Sequence, residues 1–273
     1  ATSVQHRLKV IIDSKNLVLE NVYNQEPLSY DEIMEWCRSQ AEFFKDYICD
    51  VGTLLGAAAG QGKNILFEAQ LGALRDIDYG IYPFTSSSNT IASYAPIGAG
   101  IPGCALDNVV GVMKAYSTCV GEGPFVAETA MGEAWNEKLR ESGGEFGAAT
   151  GRPRRVGPFD AVASRYGIRC QKAQDIALTK LDVLGAFDKI PVITGYRLHG
   201  VLLDSFPTDS RLEEAEPVIE ELPGWECDLS GCRSWKDLPE NARKYVCTLE
   251  KLVDHPIYLV STGAERDAYL LRE

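Results

Sequence analysis

Arg152, Arg154 and Arg155 stand within four residues of one another, on a segment bounded by Gly147 and Gly157, in a chain of 273 residues with 27 Lys plus Arg against 39 Asp plus Glu. The formal net charge is therefore 27 − 39 = −12. Repelling cations are not clustered in an acidic protein without a counter-anion or open solvent. A guanidinium grips carboxylate or phosphate through two parallel hydrogen bonds, and flanking glycines let backbone amides approach the ligand or let the loop close over it. The competing reading is a solvated basic loop that pairs with surface acids. Pro153 and Thr150 stiffen the segment, which favours an anion-binding loop.

Thr179-Lys180-Leu181-Asp182 follows directly on the apolar run 175–178, where a strand delivers its loop. An Asp carboxylate offers two acceptors side by side, which match the ring N–H and exocyclic amine of guanine, while the stem of a Lys two residues earlier can cover the ring face. Adenine presents an acceptor where guanine presents the ring N–H. On its own the string is short, and a solvated Lys–Asp pair at a strand end explains it equally well. Asp76-Ile-Asp78-Tyr-Gly80 leads into Thr85-Ser86-Ser87-Ser88-Asn89-Thr90, six consecutive hydroxyl or amide side chains suited to a phosphate ester or to a polar turn. Asp76 and Asp78 read as loop-orienting acids rather than an acid–base couple. Ser261-Thr262-Gly263 closes another apolar run at 257–260.

These segments need a scaffold that brings strand ends together. Ser29 and Glu32 form an S-x-x-E capping box, and Ile33, Trp36, Cys37, Phe44, Tyr47, Ile48, Val51 and Leu55 recur at helical spacing, which predicts one amphipathic helix over 29–55. The short apolar runs 65–67, 176–178 and 257–260 predict buried strands. Helices are expected over 107–116, 159–171 and 239–253, the last with Asp237 as N-cap and Pro239 early. Strands separated by helices imply an α/β fold with a mostly parallel central sheet flanked by helices, whose ligands gather beyond the strands' carboxyl ends. No linker, repeat or long charge run divides the chain. One continuous domain over 1–273 is expected, with a mainly helical 1–63, a core at 64–190 that carries the candidate sites, and closing strands and a helix at 191–273.

Several functions are excluded or disfavoured by composition. An acidic chain lacks the basic surface that non-specific nucleic-acid or anionic-membrane binding requires. With 45% hydrophobic and 24% charged residues it is a folded globular protein. No stretch approaches the roughly 18 apolar residues of a membrane helix, and residues 1–9 lack a signal-peptide core, so a cytoplasmic protein is expected. The eight cysteines form no C-x-x-C pair and read as buried free thiols; Cys227 and Cys232 are the one close pair. His6, His199 and His255 lie in unrelated segments and suggest no catalytic constellation. Gly56-Ala-Ala-Ala-Gly-Gln-Gly62-Lys63-Asn64 imitates a phosphate loop but lacks its first Gly spacing and the Ser or Thr after Lys, and it ends a helix instead of opening one.

In their joint order these motifs resemble adenylosuccinate synthetase, the ligase family that joins aspartate to IMP using GTP. The resemblance runs from about residue 8 to the C-terminus. It rests on Phe67-Glu68, Asp76-Ile-Asp78-Tyr-Gly80, Tyr82-Pro83, Ser87-Ser88-Asn89-Thr90, Lys114-Ala-Tyr-Ser-Thr118, Val120-Gly-Glu-Gly-Pro-Phe125 and Glu145-Phe-Gly147. Thr150-Gly-Arg-Pro-Arg-Arg155, Thr179-Lys-Leu-Asp-Val-Leu184, Leu222-Pro-Gly-Trp225 and Ser261-Thr-Gly263 complete it. The resemblance implies that Lys180, Leu181 and Asp182 hold the guanine of GTP, that Ser261, Thr262 and Gly263 contact the same nucleotide, and that Arg154 reaches it from a mobile loop. Ala148, Ala149, Thr150, Gly151, Arg152, Pro153 and Arg154 would form the aspartate loop. Arg152, Ser86 and the backbone of Val120 would contact IMP. Mg²⁺ as cofactor, GTP as co-substrate and a homodimer are implied too.

The departures are specific. The family pattern F-E-G-A-Q-G becomes Phe67-Glu-Ala-Gln70-Leu71-Gly72, so the IMP-contacting glutamine aligns with Leu71 while Gln70 sits one position early. Ala149 and Pro153 replace a threonine and an arginine, and Ser86 stands at a common threonine position. The family's G-D-E-G-K-G-K phosphate loop, whose Asp is base and magnesium ligand, and the catalytic His that follows it do not occur here. The chain resembles the C-terminal part of the family fold, so no catalytic or metal-binding residue is assigned within it and the isolated chain is expected to be inactive. The alternative is a non-catalytic module that binds guanine nucleotide or a partner.

Overall fold

Residues 29–55 form two helices rather than one, because Asp50 restarts the chain: its carboxylate accepts from Thr53 N (3.0 Å) and Thr53 Oγ1 (2.9 Å). The computed structural model describes residues 2–148 and 150–272. Contacts group the chain into two compact units, Ala1–Asn64 and Ile65–Glu273; the sequence, without a linker, had suggested one. The first unit holds α1 (Thr2–Asn21), α2 (Tyr30–Phe44) and α3 (Val51–Gly60), with Ile12 and Met34 buried. Ser29 caps α2 as expected, accepting from Glu32 N at 3.4 Å. Asn16 holds the turn by donating to Leu28 O and accepting from Leu28 N. The Gly-rich stretch ends α3 at Gly60, but the expected strand 65–67 does not follow. Leu66 is exposed and no neighbouring strand pairs with the run, so its backbone groups have no ladder to join.

The second unit contains α4 (Ala95–Gly98), β1 (Val110–Lys114), β2 (Ser117–Cys119), α5 (Val126–Thr129) and α6 (Glu133–Gly143). It continues with β3 (Arg155–Gly157), β4 (Phe159–Asp160), α7 (Ala161–Gln171), β5 (Asp175–Thr179), β6 (Lys189–Leu198), β7 (Val201–Leu202) and β8 (Glu216–Pro223). It closes with α8 (Glu240–Val253), β9 (Leu259–Ser261) and β10 (Tyr269–Leu271). The fold is mixed α/β with a mostly parallel central sheet flanked by helices: β1 runs parallel to β5 and β5 to β9, and β10 adds an antiparallel edge. A second sheet pairs β6 with β4 in parallel and with β7 and β8 antiparallel, while β2 and β3 form a separate ribbon.

The helix expected over 107–116 is strand β1. Its Val-Val-Gly-Val run is β-branched, and Gly111 lets Ile176 of β5 approach so closely that a Cβ would sit 2.9 Å from its Cδ1. Helix α8 begins at Glu240 with Pro239 as N-cap; Asp237 instead closes the preceding turn, accepting from Ser234 N and Arg233 N. Ala242, Tyr245, Val246, Leu249 and Val253 of α8 pack with Ile176, Leu178 and Val260 of the sheet, and α7 packs Val162 and Tyr166 on Ile193 and Tyr196. All eight cysteines are free, but only Cys232 is buried, and Cys227 and Cys232 are not bonded. No helix among the described residues is long and apolar enough to cross a membrane.

Asp160 caps α7 from full burial, accepting from Val162 N and Ala163 N at 3.0 Å each and from Tyr196 Oη. Burial outweighs these bonds and pushes its carboxyl up to about 6 from 3.8. A raised folded-state value means that the native state binds the extra proton, so this group's contribution declines as pH rises from about 4 through 6. Asp160→Asn, which keeps the cap without a charge, should become less costly by on the order of 1–3 kcal/mol between pH 4.5 and 7.5 in paired urea melts. A cost that is the same at both pH values would contradict this.

Candidate functional site

Three parallel strands end together. Lys114 of β1 pairs with Thr179 of β5, and Leu178 pairs with Val260 of β9, so Lys114, Lys180 and Ser261 leave the sheet along one edge. Lys180 holds a left-handed backbone (φ 63°), a strained conformation for a residue with a Cβ, and its ammonium donates to Gly143 O at 2.9 Å. Leu181 is fully buried, whereas the partly exposed Asp182 carboxylate takes no hydrogen bond from any described residue. Thr262 is buried and its hydroxyl donates to Cys232 O; Ser261 Oγ donates to Gly263 O at 2.9 Å. Lys180 and Asp182 thus stand beside Ser261 and Gly263 at the carboxyl edge of the sheet.

The arginine segment reaches the same edge through one carboxylate. Glu145 is 1% exposed. Its Oε1 accepts from Lys114 Nζ (2.8 Å) and Tyr116 Oη (2.6 Å), and its Oε2 accepts from Arg154 Nη1 (2.9 Å). Burial pushes the Glu145 carboxyl up, but the Lys114 and Tyr116 hydrogen bonds and the charges of Lys114 and Lys180 outweigh it, and the net shift is downward. Burial, and the charges of Arg154 and Lys180, lower the Lys114 ammonium against the pull of Glu145. Burial also raises the Tyr116 phenol, as does its bond to Glu145. Three cations meet one buried acid, so the edge carries surplus positive charge in a protein of net charge −12.

Main-chain bonds shape the loop: Arg154 N donates to Glu145 O (2.9 Å), Gly147 N to Arg152 O (2.8 Å) and Gly151 N to Gly147 O (2.8 Å), and Phe146 faces Pro153 in an isolated bridge. Ala148, Thr150, Gly151, Arg152 and Pro153 form its tip; Ala149 lies outside the described residues. The arginines divide their duties. Arg155 is structural, bonding Glu128 Oε2 through Nε and Nη2 and Gly121 O and Gly123 O through Nη1. Arg154 is anchored on Glu145, although its buried Nε has no partner. Exposed Arg152 makes no ion pair among the described residues. At the root, β3 lies so close to α5 that a Cβ on Gly157 would fall 2.1 Å from Ala127 O.

Val120 adjoins this loop, and Ser86 is tied to the Val120 segment through Arg75, whose carbonyl accepts from Ser86 N and whose guanidinium donates to Val120 O. Cys119 is opposite Arg155 in the β2–β3 ribbon, which sets Val120 beside the start of β3. Ser86 Oγ donates to Ser88 O (3.0 Å) and accepts from Ser88 N (3.1 Å). Beneath it, buried Asp76 accepts from Asp78 N, Tyr79 N and Thr90 N, and Asp78 Oδ2 accepts from Asn89 Nδ2 at 2.7 Å, the loop-orienting roles expected for these acids. Burial raises the Asp76 carboxyl, yet the backbone bonds outweigh it and its net shift is also downward. The exposed Leu71 is left-handed (φ 76°), and Gln70 is exposed beside it. Among the described residues no three or more His, Cys, Asp or Glu converge to hold a metal ion.

Sequence reasoning missed two residues. Glu145 was visible only as part of a motif; an acid just before a Gly-bounded arginine run was the available signal. Arg75 carried no signal at all, yet its guanidinium spans the Ser86 and Val120 segments.

A family model described as adenylosuccinate synthetase matches residues 1–270. Adenylosuccinate synthetases of Trichlorobacter lovleyi and Geobacter sulfurreducens are 47% and 44% identical over 266 residues, covering 97% of this chain and 61% of each relative. The structure of fully ligated adenylosuccinate synthetase from Plasmodium falciparum superposes with a TM-score of 0.90 at 32% identity, over 99% of this chain and 63% of that one. The chain thus spans about three-fifths of the length of the curated relatives it matches.

Glu145→Gln leaves two cations without their counter-charge and should cost about 2–4 kcal/mol in chemical denaturation, discounted for the part-exposed Lys114 and Arg154. In the native protein, trypsin should cut faster after Arg154. Because the Glu145 carboxyl is lowered on folding, its stabilisation is present above its ordinary value of 4.5 and is lost as pH falls below it. A variant with unchanged stability and unchanged cleavage would show that the carboxylate does not anchor the loop.

Proposed function

The chain belongs to the adenylosuccinate synthetase family, and on that premise we propose that its sheet edge supplies the guanine, aspartate and part of the IMP site of a GTP-dependent carbon–nitrogen ligase in purine nucleotide biosynthesis. The observation that carries this reading is the continuous path from Asp182 and Lys180, through Lys114 and Glu145, to Arg154 and the arginine loop. Base-recognising and anion-recognising groups then face one crevice. Lys180, Leu181 and Asp182 take the guanine, with Asp182 free to accept from the ring N–H and amine, while Ser261, Thr262 and Gly263 border the nucleotide, the buried Leu181 and Thr262 backing the wall of the site. Arg154 reaches the same nucleotide. Ala148 to Arg154 bind aspartate, and Arg152, Ser86 and the N–H of Val120 take IMP.

In the reaction so proposed, a base outside this chain takes the ring N–H proton of IMP and the purine 6-oxygen attacks the terminal phosphoryl group of GTP. The O–P bond to that oxygen forms as the bond to GDP breaks. The aspartate amine then attacks C6, the C–N bond forms, a proton leaves the nitrogen, and phosphate departs with the electrons of the C–O bond. Phosphorylation turns a poor leaving group into a good one. This chain's contribution is charge: the cationic edge stabilises two anionic substrates and the negative charge that develops between them. Among the described residues no three His, Cys, Asp or Glu converge to hold a metal ion by themselves, and neither an acid–base pair nor a triphosphate cradle is found in the sequence. We assign Mg²⁺, the base and the phosphate cradle to parts of the enzyme that this chain does not supply, and accordingly expect no turnover from the chain alone. A cytoplasmic homodimer fits the same reading.

Calorimetry with GDP, IMP and aspartate tests it. Binding of IMP and aspartate that strengthens each other, with GDP also bound, supports the ligase. GDP binding without any response to IMP supports the non-catalytic module, and adenylosuccinate formation by the chain alone overturns the assignment of the base elsewhere. In the full-length enzyme, Asp182→Asn should lose about 10–100-fold in preference for GTP, the worth of a charged hydrogen bond, with aspartate affinity nearly intact. Arg152→Leu should cost roughly 2–5 kcal/mol on the IMP and aspartate side; a near-neutral effect would return Arg152 to the role of a solvated surface cation.

A further inference from the structure

Arg75 lies at the end of a short 3₁₀ turn, Ala73–Arg75, with its side chain part-buried. Its Nη1 donates to Phe84 O and to Glu122 O (3.0 Å), and its Nη2 to Cys119 Sγ (2.8 Å) and Val120 O (3.1 Å). All four terminal N–H groups are therefore used, two segments far apart in sequence are held by one planar fork, and Arg75 O in turn accepts from Ser86 N at 2.8 Å. No acid pairs with this guanidinium among the described residues. Lys, with one ammonium and no fixed fork, cannot span these acceptors in the same way.

We infer that Arg75 is a positioning residue that locks the Ser86 segment to the Val120 segment and so fixes the purine-monophosphate pocket. The inference rests on the ligase reading for the identity of the ligand. Its physical content is independent of it. Arg75 consumes Val120 O while Val120 N donates to no described residue, which leaves the N–H as the backbone group available to a ligand, a donor suited to a phosphate or purine oxygen. The unpaired charge adds to the attraction for an anion without Arg75 touching it. The same turn grips the Ser86 segment from below through Asp76, whose carboxylate holds Thr90 N, and Ile77 N, which donates to Ser88 O (3.2 Å). Rigidity in one segment is therefore transmitted to the other.

The test uses Arg75→Lys and Arg75→Gln in the full-length protein, with amide hydrogen exchange and steady-state kinetics. Exchange at residues 84–90 and 119–124 should rise together by about tenfold or more, more in Gln than in Lys, while residues 179–183 stay protected. KM for IMP should rise about tenfold, with kcat and the KM for GTP within about twofold of wild type. The Lys variant should recover part of the loss. Exchange that rises in only one segment, or in neither, overturns the lock, and so does a uniform rise in all three KM values, the mark of general loosening. If the Gln variant does not fold, the Lys variant decides by the same readouts. Wild-type protein that shows no protection by IMP would defeat the ligase reading instead, while the paired exchange of the two segments would still judge Arg75.

Discussion

One buried carboxylate governs the geometry of this molecule. Glu145 accepts from an ammonium on β1, a phenol just beyond it and a guanidinium at the end of the arginine loop, while its own carbonyl takes the amide of that same arginine. An unpaired ion in such a place would be costly, and a pair alone often only breaks even with an apolar core. Three charge-assisted donors on two oxygens change that balance and specify direction as well as attraction. The loop cannot drift from the sheet edge without stripping Oε2 of this buried carboxylate of its Arg154 donor.

Around that fixed point the protein places positive charge where its average is strongly negative. Lys114, Lys180 and Arg154 exceed the charge of Glu145, and Arg152 adds a cation that is free to meet a ligand. Arg155 looks equivalent in sequence but is absorbed by Glu128 and two carbonyls. Three neighbouring arginines thus serve as a surface contact, an anchored gate and a brace. A substrate with phosphate or carboxylate groups would find a cationic patch framed by acid, which favours entry in one orientation.

Much of the scaffold was readable from residue pattern. The runs 176–178 and 257–260 lie within or overlap β5 and β9, and residues 159–171 and 239–253 contain α7 and α8 almost whole, because apolar periodicity and end signals agreed there. The split of 29–55 at Asp50 is local, but two other failures depend on distant partners. Val-Gly-Val in β1 becomes a strand because Ile176 fills the space over Gly111, and the run at 65–67 remains outside any ladder for want of a neighbour. The site was legible as separate motifs; the sheet and Glu145 link the threonine-lysine string to the arginine string, while the hydroxyl string is tied through Arg75 to the Val120 segment. What joins them, the fork of Arg75 and the shared acid of Glu145, depends on contacts over tens of residues that no local spacing encodes.

Gly157 draws a line between what this loop can and cannot change. With the Ala127 carbonyl occupying the space a Cβ on Gly157 would need, the base of the β2–β3 ribbon admits no larger residue, whereas Ala148, Thr150, Gly151 and Arg152 at the tip are exposed. Change is thus a matter for the tip: a protein engineer could replace Ala148, Thr150 or Arg152 without disturbing the ribbon, but not left-handed Gly151, as one changes the bit of a key while its shank stays in the lock.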